Sequence, residues 1–356
     1  MRTARGGGRR AEVYCNFPVL VNLRGGGPRW VAARASRHGV ERGMLPESAA
    51  PAVPAAPVSR PRVWPSLLSY LLLMVGMLVG SALFFGAWLA AQAASAYVAG
   101  QSHDQVLAQL REQGMSVAAL PLVMALSSLV TVLVQLACAL LPAALSPTPW
   151  RERLGLVPAG RPKPGALGVA CVGILSLGWT MSCVASLLGA RREGGPLEML
   201  EALARRASTG EFLLMLVVMA AGAGLAEELF FRGYLQTRLV ARWGRGVGIG
   251  LTALLFGLMH LNPLHAVLAT GVGAFLGWVR ERSGSVHAGI VAHAVNNAVA
   301  FATSRTWSAS TPSRESLAWG LLVYGGIFGA CLLFLRRARW TEPSAPRAPL
   351  PDVAGG

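Results

Sequence analysis

The chain has 356 residues, of which 53% are hydrophobic and 13% charged, with a formal net charge of +16 and a mean hydropathy of +0.49. Soluble domains carry roughly 25% charged residues, so this composition excludes a water-soluble globule and leaves a membrane protein. The basic excess does not indicate nucleic acid: no nucleic-acid motif accompanies it. Its arginines instead sit at the ends of apolar runs, where they set topology and meet anionic lipid.

In chain order, residues 1–63 are expected to form a basic, unstructured tail and linker, rich in Arg and Gly and then in Pro and Ala. A start at Met44 would leave only a short basic leader, so the first 43 residues read as an over-extended gene start. Apolar segments follow at roughly 66–94, 118–145, 165–189, 212–235, 246–262, 264–280, 286–304 and 317–335, each long enough or nearly so for a bilayer core of about 30 Å. The fifth and sixth are separated only by Asn262 and Pro263, which reads as a tight hairpin or re-entrant pair. The expected fold is therefore all-α, a polytopic membrane bundle of about eight helices over 64–335. Residues 336–356 form a short Arg- then Pro-rich tail.

Basic residues recur on one side. Arg238, Arg242 and Arg245 follow the fourth segment, Arg280 and Arg282 the sixth, and Arg336, Arg337 and Arg339 the eighth. The positive-inside rule then places both termini in the cytoplasm, as expected of a multi-pass protein of a bacterial inner membrane. Cys15, Cys138, Cys171, Cys183 and Cys331 form no CxxC pair. Four of them lie in apolar segments as small hydrophobes, so no disulfide framework or thiol zinc site is implied.

Ionisable groups at mid-bilayer cost at least about 2.5–3.5 kcal/mol each and mark functional positions. Three clusters stand out: Glu227-Glu228 with Arg232, Phe256 with His260, and His293 with Asn297. Glu228 and Arg232 are four apart and pair along one helix face. Glu227 points about 100° away and has no base at plus three or plus four, which leaves an acid without a local partner. His293 and Asn297 share a face. An interhelical hydrogen bond suffices for a lone histidine, but together these groups could position a water, polarise a carbonyl and hold an oxyanion. They could equally ligate a divalent metal such as zinc. His265 and His287, at segment ends, read as interfacial or supporting. Gly222, Gly224 and Gly233 permit close helix contact or a local kink.

Glu-Glu-x-x-x-Arg at 227–232, Phe-x-x-x-His at 256–260 and His-x-x-x-Asn at 293–297 occur in this order on successive segments. The set resembles the CAAX prenyl protease and bacteriocin-processing (CPBP) family, the type II or Rce1-like CAAX endopeptidases. The similarity is best over 211–302, and the Trp150–Leu156 loop also resembles bacterial members. The resemblance implies an intramembrane endopeptidase acting on a membrane-bound protein or peptide. It makes Glu227 the base that activates water, His260 its helper, and His293 and Asn297 the oxyanion site. Glu228 would be the second acid, Arg232 its structural partner, and Phe256 would pack beneath His260. It leaves open a metal-free mechanism or a divalent metal held by Glu227, His260 and His293. A non-catalytic membrane scaffold or immunity protein of the same fold, or an ion-coupled transporter, are the competing readings.

Overall fold

The structure is a computed structural model and describes residues 18–21, 29–32, 62–116, 120–157, 163–190, 196–306 and 312–340. The chain divides into two compact units, residues 1–58 and 59–356. In the first, β1 (Pro18–Val21) and β2 (Arg29–Ala32) pair as an antiparallel hairpin with Pro18 opposite Ala32. The expectation of an unstructured tail over 1–63 otherwise falls on residues outside those described, as does the Pro-rich end beyond Trp340.

The described residues of the second unit are helical throughout. Its long helices are α1 (Trp64–Val98), followed by the shorter α2 (His103–Ser116), α3 (Pro121–Ala144), the single turn α4 (Trp150–Arg153) and α5 (Pro164–Leu187). A short amphipathic α6 (Pro196–Arg206) precedes α7 (Thr209–Trp243), α8 (Arg245–Leu258), α9 (Pro263–Ser283), α10 (His287–Thr306) and α11 (Arg314–Arg337). Every one of the apolar segments read from the sequence forms a helix, and the protein is a polytopic membrane helix bundle. The helices α1, α3, α5, α7 and α11 are long and apolar enough to cross a membrane on length and composition. At 14 residues, α8 is about 21 Å long, too short to cross alone. It packs antiparallel against α9 as the expected tight hairpin.

Local chemistry sets the helix ends. Proline occupies the first turn of α1, α3, α5 and α9, where its missing N–H costs nothing and its φ is already helical. A capping box opens α7: the Ser208 hydroxyl accepts from the Glu211 N–H, and Glu211 accepts from the Ser208 N–H. Asn262 caps α9 through the His265 N–H, and Gly284 ends it in the left-handed region at φ +69°.

Packing grades from the outside inward. Leu71, Leu83, Trp319 and Leu322 are more than half exposed, as a lipid-facing surface requires. The core around Leu154, Phe230, Phe231, Tyr234, Leu235 and Phe256 is closed. α7 is the most enclosed of the candidate spans. Where α8 meets α9, Gly257 faces Ala266 and Thr270 so closely that a Cβ would collide with both. Gly257→Ala is therefore expected to destabilise the protein by about 1–3 kcal/mol, read as a lowered unfolding temperature in detergent.

One end of the bundle is tied together by contacts that also gather its bases. Arg280 donates to Thr237 Oγ1 at 3.2 Å, Arg245 pairs with Glu281 at 3.7 Å, and Arg282 donates to the Arg336 carbonyl at 2.6 Å. The N–H of Lys163 donates to the Trp340 carbonyl, and that of Val286 to Gly155. The start of α1 joins them, with Ser69 Oγ 3.5 Å from the Tyr234 hydroxyl. Among the described residues at this end, only Glu152 and Glu281 oppose the arginines. At the other end, acids such as Asp104, Glu198, Glu211 and Glu315 balance Arg205, Arg206, Arg305 and Arg314.

Candidate functional site

The glutamate pair sits on a distorted stretch of α7. The helix widens to i→i+5 hydrogen bonding over Leu216–Gly222 and again over Glu228–Leu235, with an ordinary turn, Ala223–Glu227, between. Each widening shifts the angular register of the side chains beyond it, and such insertions recur at functional sites. This is the local irregularity that the glycines had suggested as a kink.

The two acids then part company. Glu228 is fully buried, and so is Arg232, whose Nη1 donates to Glu228 Oε1 at 2.7 Å. Arg232 Nη2 donates to the Gly273 carbonyl at 3.1 Å, and its guanidinium lies 4.5 Å from the Phe256 ring centroid. Glu228 Oε1 also faces His293 Nδ1 at 3.1 Å. These contacts bind α7, α9 and α10 through one carboxylate. They fit only because of small neighbours: a Cβ on Gly289 would lie 2.6 Å from Glu228 Oε2, and one on Gly273 would lie 3.3 Å from Arg232 Nη2.

Glu227 turns the other way. It lines a cavity of about 660 Å³ together with Phe256, His260, His265, His293, Asn296 and Asn297, and its side chain is 12% exposed. Its Oε2 is 3.6 Å from His293 Nε2, so the His293 ring bridges the two acids. A neutral imidazole has one N–H. With that hydrogen on Nδ1 facing Glu228, a neutral ring turns only its Nε2 lone pair toward Glu227, and an Nε2–H there requires a second proton on the ring.

His260 is oriented by its own helix. Its Nδ1 lies 3.0 Å from the Phe256 carbonyl, which can only accept, so Nδ1 carries the hydrogen and the Nε2 lone pair is left for other partners. The next residue, Leu261, has φ +54°, a left-handed conformation that costs a non-glycine residue of order 1 kcal/mol and recurs at functional sites. That turn folds α9 back so that the rings of His260 and His265 stand 4.1 Å apart. Phe256 supports both imidazoles, with ring centroids 5.2 Å from His260 and 5.8 Å from His293. Asn297 accepts from the Asn296 side chain at 3.3 Å and donates to the Met219 carbonyl at 3.4 Å.

The structure thus brings Glu227, His260, His293 and Asn297 to one cavity, sets Phe256 against both rings, and buries Glu228 and Arg232 behind it. His287 lies apart, paired with Ser285 at 2.7 Å. His265, read from the sequence as interfacial or supporting, lines the cavity. Sequence reasoning missed Gln135, Trp179 and Arg205, which also line it. Gln135, a lone amide inside the apolar α3 run, was the one visible signal among them.

A divalent metal would need several donors gathered together. Among the described residues no three His, Cys, Asp or Glu side chains are grouped to hold one. Nδ1 of His293 faces Glu228 and Nδ1 of His260 faces the Phe256 carbonyl, which leaves Nε2 of each ring on the cavity side. A zinc ion held by Glu227, His260 and His293 thus gains no support among the described residues, and neither does the metalloprotease-like reading.

No curated protein and no solved structure matches the chain. The family model that does match is the type II CAAX prenyl endopeptidase, Rce1-like, generally a protease family, and it takes in α7 to α10 with every residue of the cluster described above. The match covers residues 209–299 of this membrane protein, a stretch similar to the Rce1-like domain.

Proposed function

We propose that the protein is an intramembrane endopeptidase that hydrolyses a peptide bond near the end of a membrane-associated or lipidated protein or peptide precursor. The observation carrying this reading is the convergence of Glu227, His260, His293 and Asn297, from α7, the α8–α9 turn and α10, on one cavity within an apolar bundle. Glu227 is the general base: it takes a proton from a water held between it and His260 Nε2, and the oxygen of that water attacks the scissile carbonyl. The carbonyl π electrons move to oxygen, and the oxyanion is met by an Asn297 side-chain N–H and by His293 Nε2–H, the ring carrying a hydrogen on both nitrogens so that Nδ1–H stays on Glu228. Collapse expels the amine, which takes the proton that Glu227 gained. Glu228 acts through its contacts as a positioning residue. It fixes the His293 ring, while Arg232 balances its charge.

The membrane domain is taken as residues 64–335, with both termini in the cytoplasm of a bacterial inner membrane, on the strength of the basic end of the bundle. Comparing membrane peptides from cells carrying the wild-type protein or Glu227→Ala tests the activity directly. A precursor that accumulates uncleaved only with the variant identifies the substrate. Identical peptide profiles would favour a scaffold instead. With that substrate in hand, Asn297→Ala is expected to lower turnover by about 10²–10³-fold, the usual loss on removing one oxyanion donor. Its KM should change far less than its kcat, because the contact strengthens only as charge develops.

A further inference from the structure

The cavity runs from the middle of the bundle toward the end away from the basic one. On α10, which begins at the basic end with His287, the lining residues run from His293 through Asn297 and Phe301 to Ser304. On α5, which also begins there, they are Leu175 to Ser182, in the later half. On α3, which finishes there, they are Ser128 to Gln135, in the middle of the helix. The lining reaches Glu201 and Arg205 on α6, where Arg205 Nη1 donates to the Ser304 carbonyl at 3.4 Å. From His293 to Ser304 is about 16 Å along the helix at 1.5 Å per residue.

Toward the basic end the same site is sealed. Behind Glu227 lie the ion pair of Glu228 with Arg232 and then Phe230, Tyr234, Leu235 and Leu154, each no more than 1% exposed. A peptide arriving from that side would have to displace a packed core and a buried charge pair. The arginine-rich end is the cytoplasmic one by the positive-inside rule, and the charge-balanced end at α6 is the other face.

We infer that the site is entered from the extracytoplasmic face, past α6 and the end of α10. This rests on the proteolytic reading and narrows its substrate class: the segment to be cut belongs to an exported or membrane-tethered polypeptide and lies on the non-cytoplasmic side of the bilayer. A tail displayed in the cytoplasm would meet the closed end.

The test reads sidedness without turnover, so its result is independent of whether Glu227→Ala blocks cleavage. In full-length protein with its native cysteines replaced, single cysteines are placed by Ser304→Cys in the cavity mouth, Thr306→Cys on the exposed helix end, and Arg337→Cys at the basic end. A small membrane-impermeant methanethiosulfonate is applied to right-side-out spheroplasts and to inverted vesicles of a bacterial host. Expected is modification of the Ser304→Cys and Thr306→Cys proteins in spheroplasts, with the Arg337→Cys protein modified only in inverted vesicles. The reverse pattern overturns the inference, as does modification of the Thr306→Cys protein from outside while the Ser304→Cys protein stays unmodified on both sides. The remaining pattern, with all three modified on a single side, refutes the assignment of opposite faces to the two ends.

Discussion

Glu227→Gln is expected to lower the rate of peptide-bond cleavage by about 10²–10⁴-fold, the range a positioned acid–base group contributes, with an unfolding temperature close to that of the wild type. The second half of the expectation follows from the geometry. The nearest ionisable partner of Glu227 is His293 at 3.6 Å, beyond a good hydrogen bond, and its side chain borders open space. Glutamine fills the same volume and can still donate to or accept from water, so the packing is undisturbed while the base is gone. A thermal scan in detergent beside a cleavage time course would check both halves. Undiminished cleavage by the folded variant would remove Glu227 from the chemistry and with it the reading proposed above.

The largest effect on stability is expected from Arg232→Leu. Glu228 would then be an uncompensated carboxylate at zero exposure, and breaking a buried ion pair from one side costs about 3–5 kcal/mol. The Arg232 bond to the Gly273 carbonyl and its contact with Phe256 would go too. Removing both charges together, as Glu228→Gln with Arg232→Met, should recover most of that loss, because no buried charge is left unpaired. The double variant should nevertheless cleave poorly, since His293 loses the carboxylate that holds Nδ1. Recovery of stability without recovery of cleavage would separate the positioning role of Glu228 from a purely structural one. If both return together, the His293–Glu228 contact has no part in the reaction.

Much of this site was legible because lipid makes polar residues conspicuous. A Glu, His or Asn within a run such as 212–235 or 286–304 has no water to satisfy it, so Glu227, His260, His293 and Asn297 stand out without any structure. The i,i+4 spacing of Glu228 and Arg232 likewise fixes their pairing, because neighbouring turns of a helix leave them no choice. The break at Asn262-Pro263 was visible too, because a proline suits the first turn of a new helix, although it left a hairpin and a re-entrant pair equally open.

What the chain alone could not show was how far each of the two adjacent acids is enclosed. Their 100° separation places them on different sides, but only the packing of α9 and α10 buries Glu228 and leaves Glu227 open. Nor could it show that His265 turns back onto His260, which depends on the left-handed turn at Leu261, or that Gln135, Trp179 and Arg205 gather from α3, α5 and α6.

The sequence by itself determined the class of molecule, the order of its helices, the basic end and the polar residues to be explained, because each follows from local spacing and the cost of polarity in lipid. The tertiary structure alone decided that Glu228 is fully enclosed while Glu227 borders the cavity, that His265 joins its lining, and that the lining runs on to α6 and the later half of α10. Those depend on which helix faces meet, and long-range packing is written in no single segment.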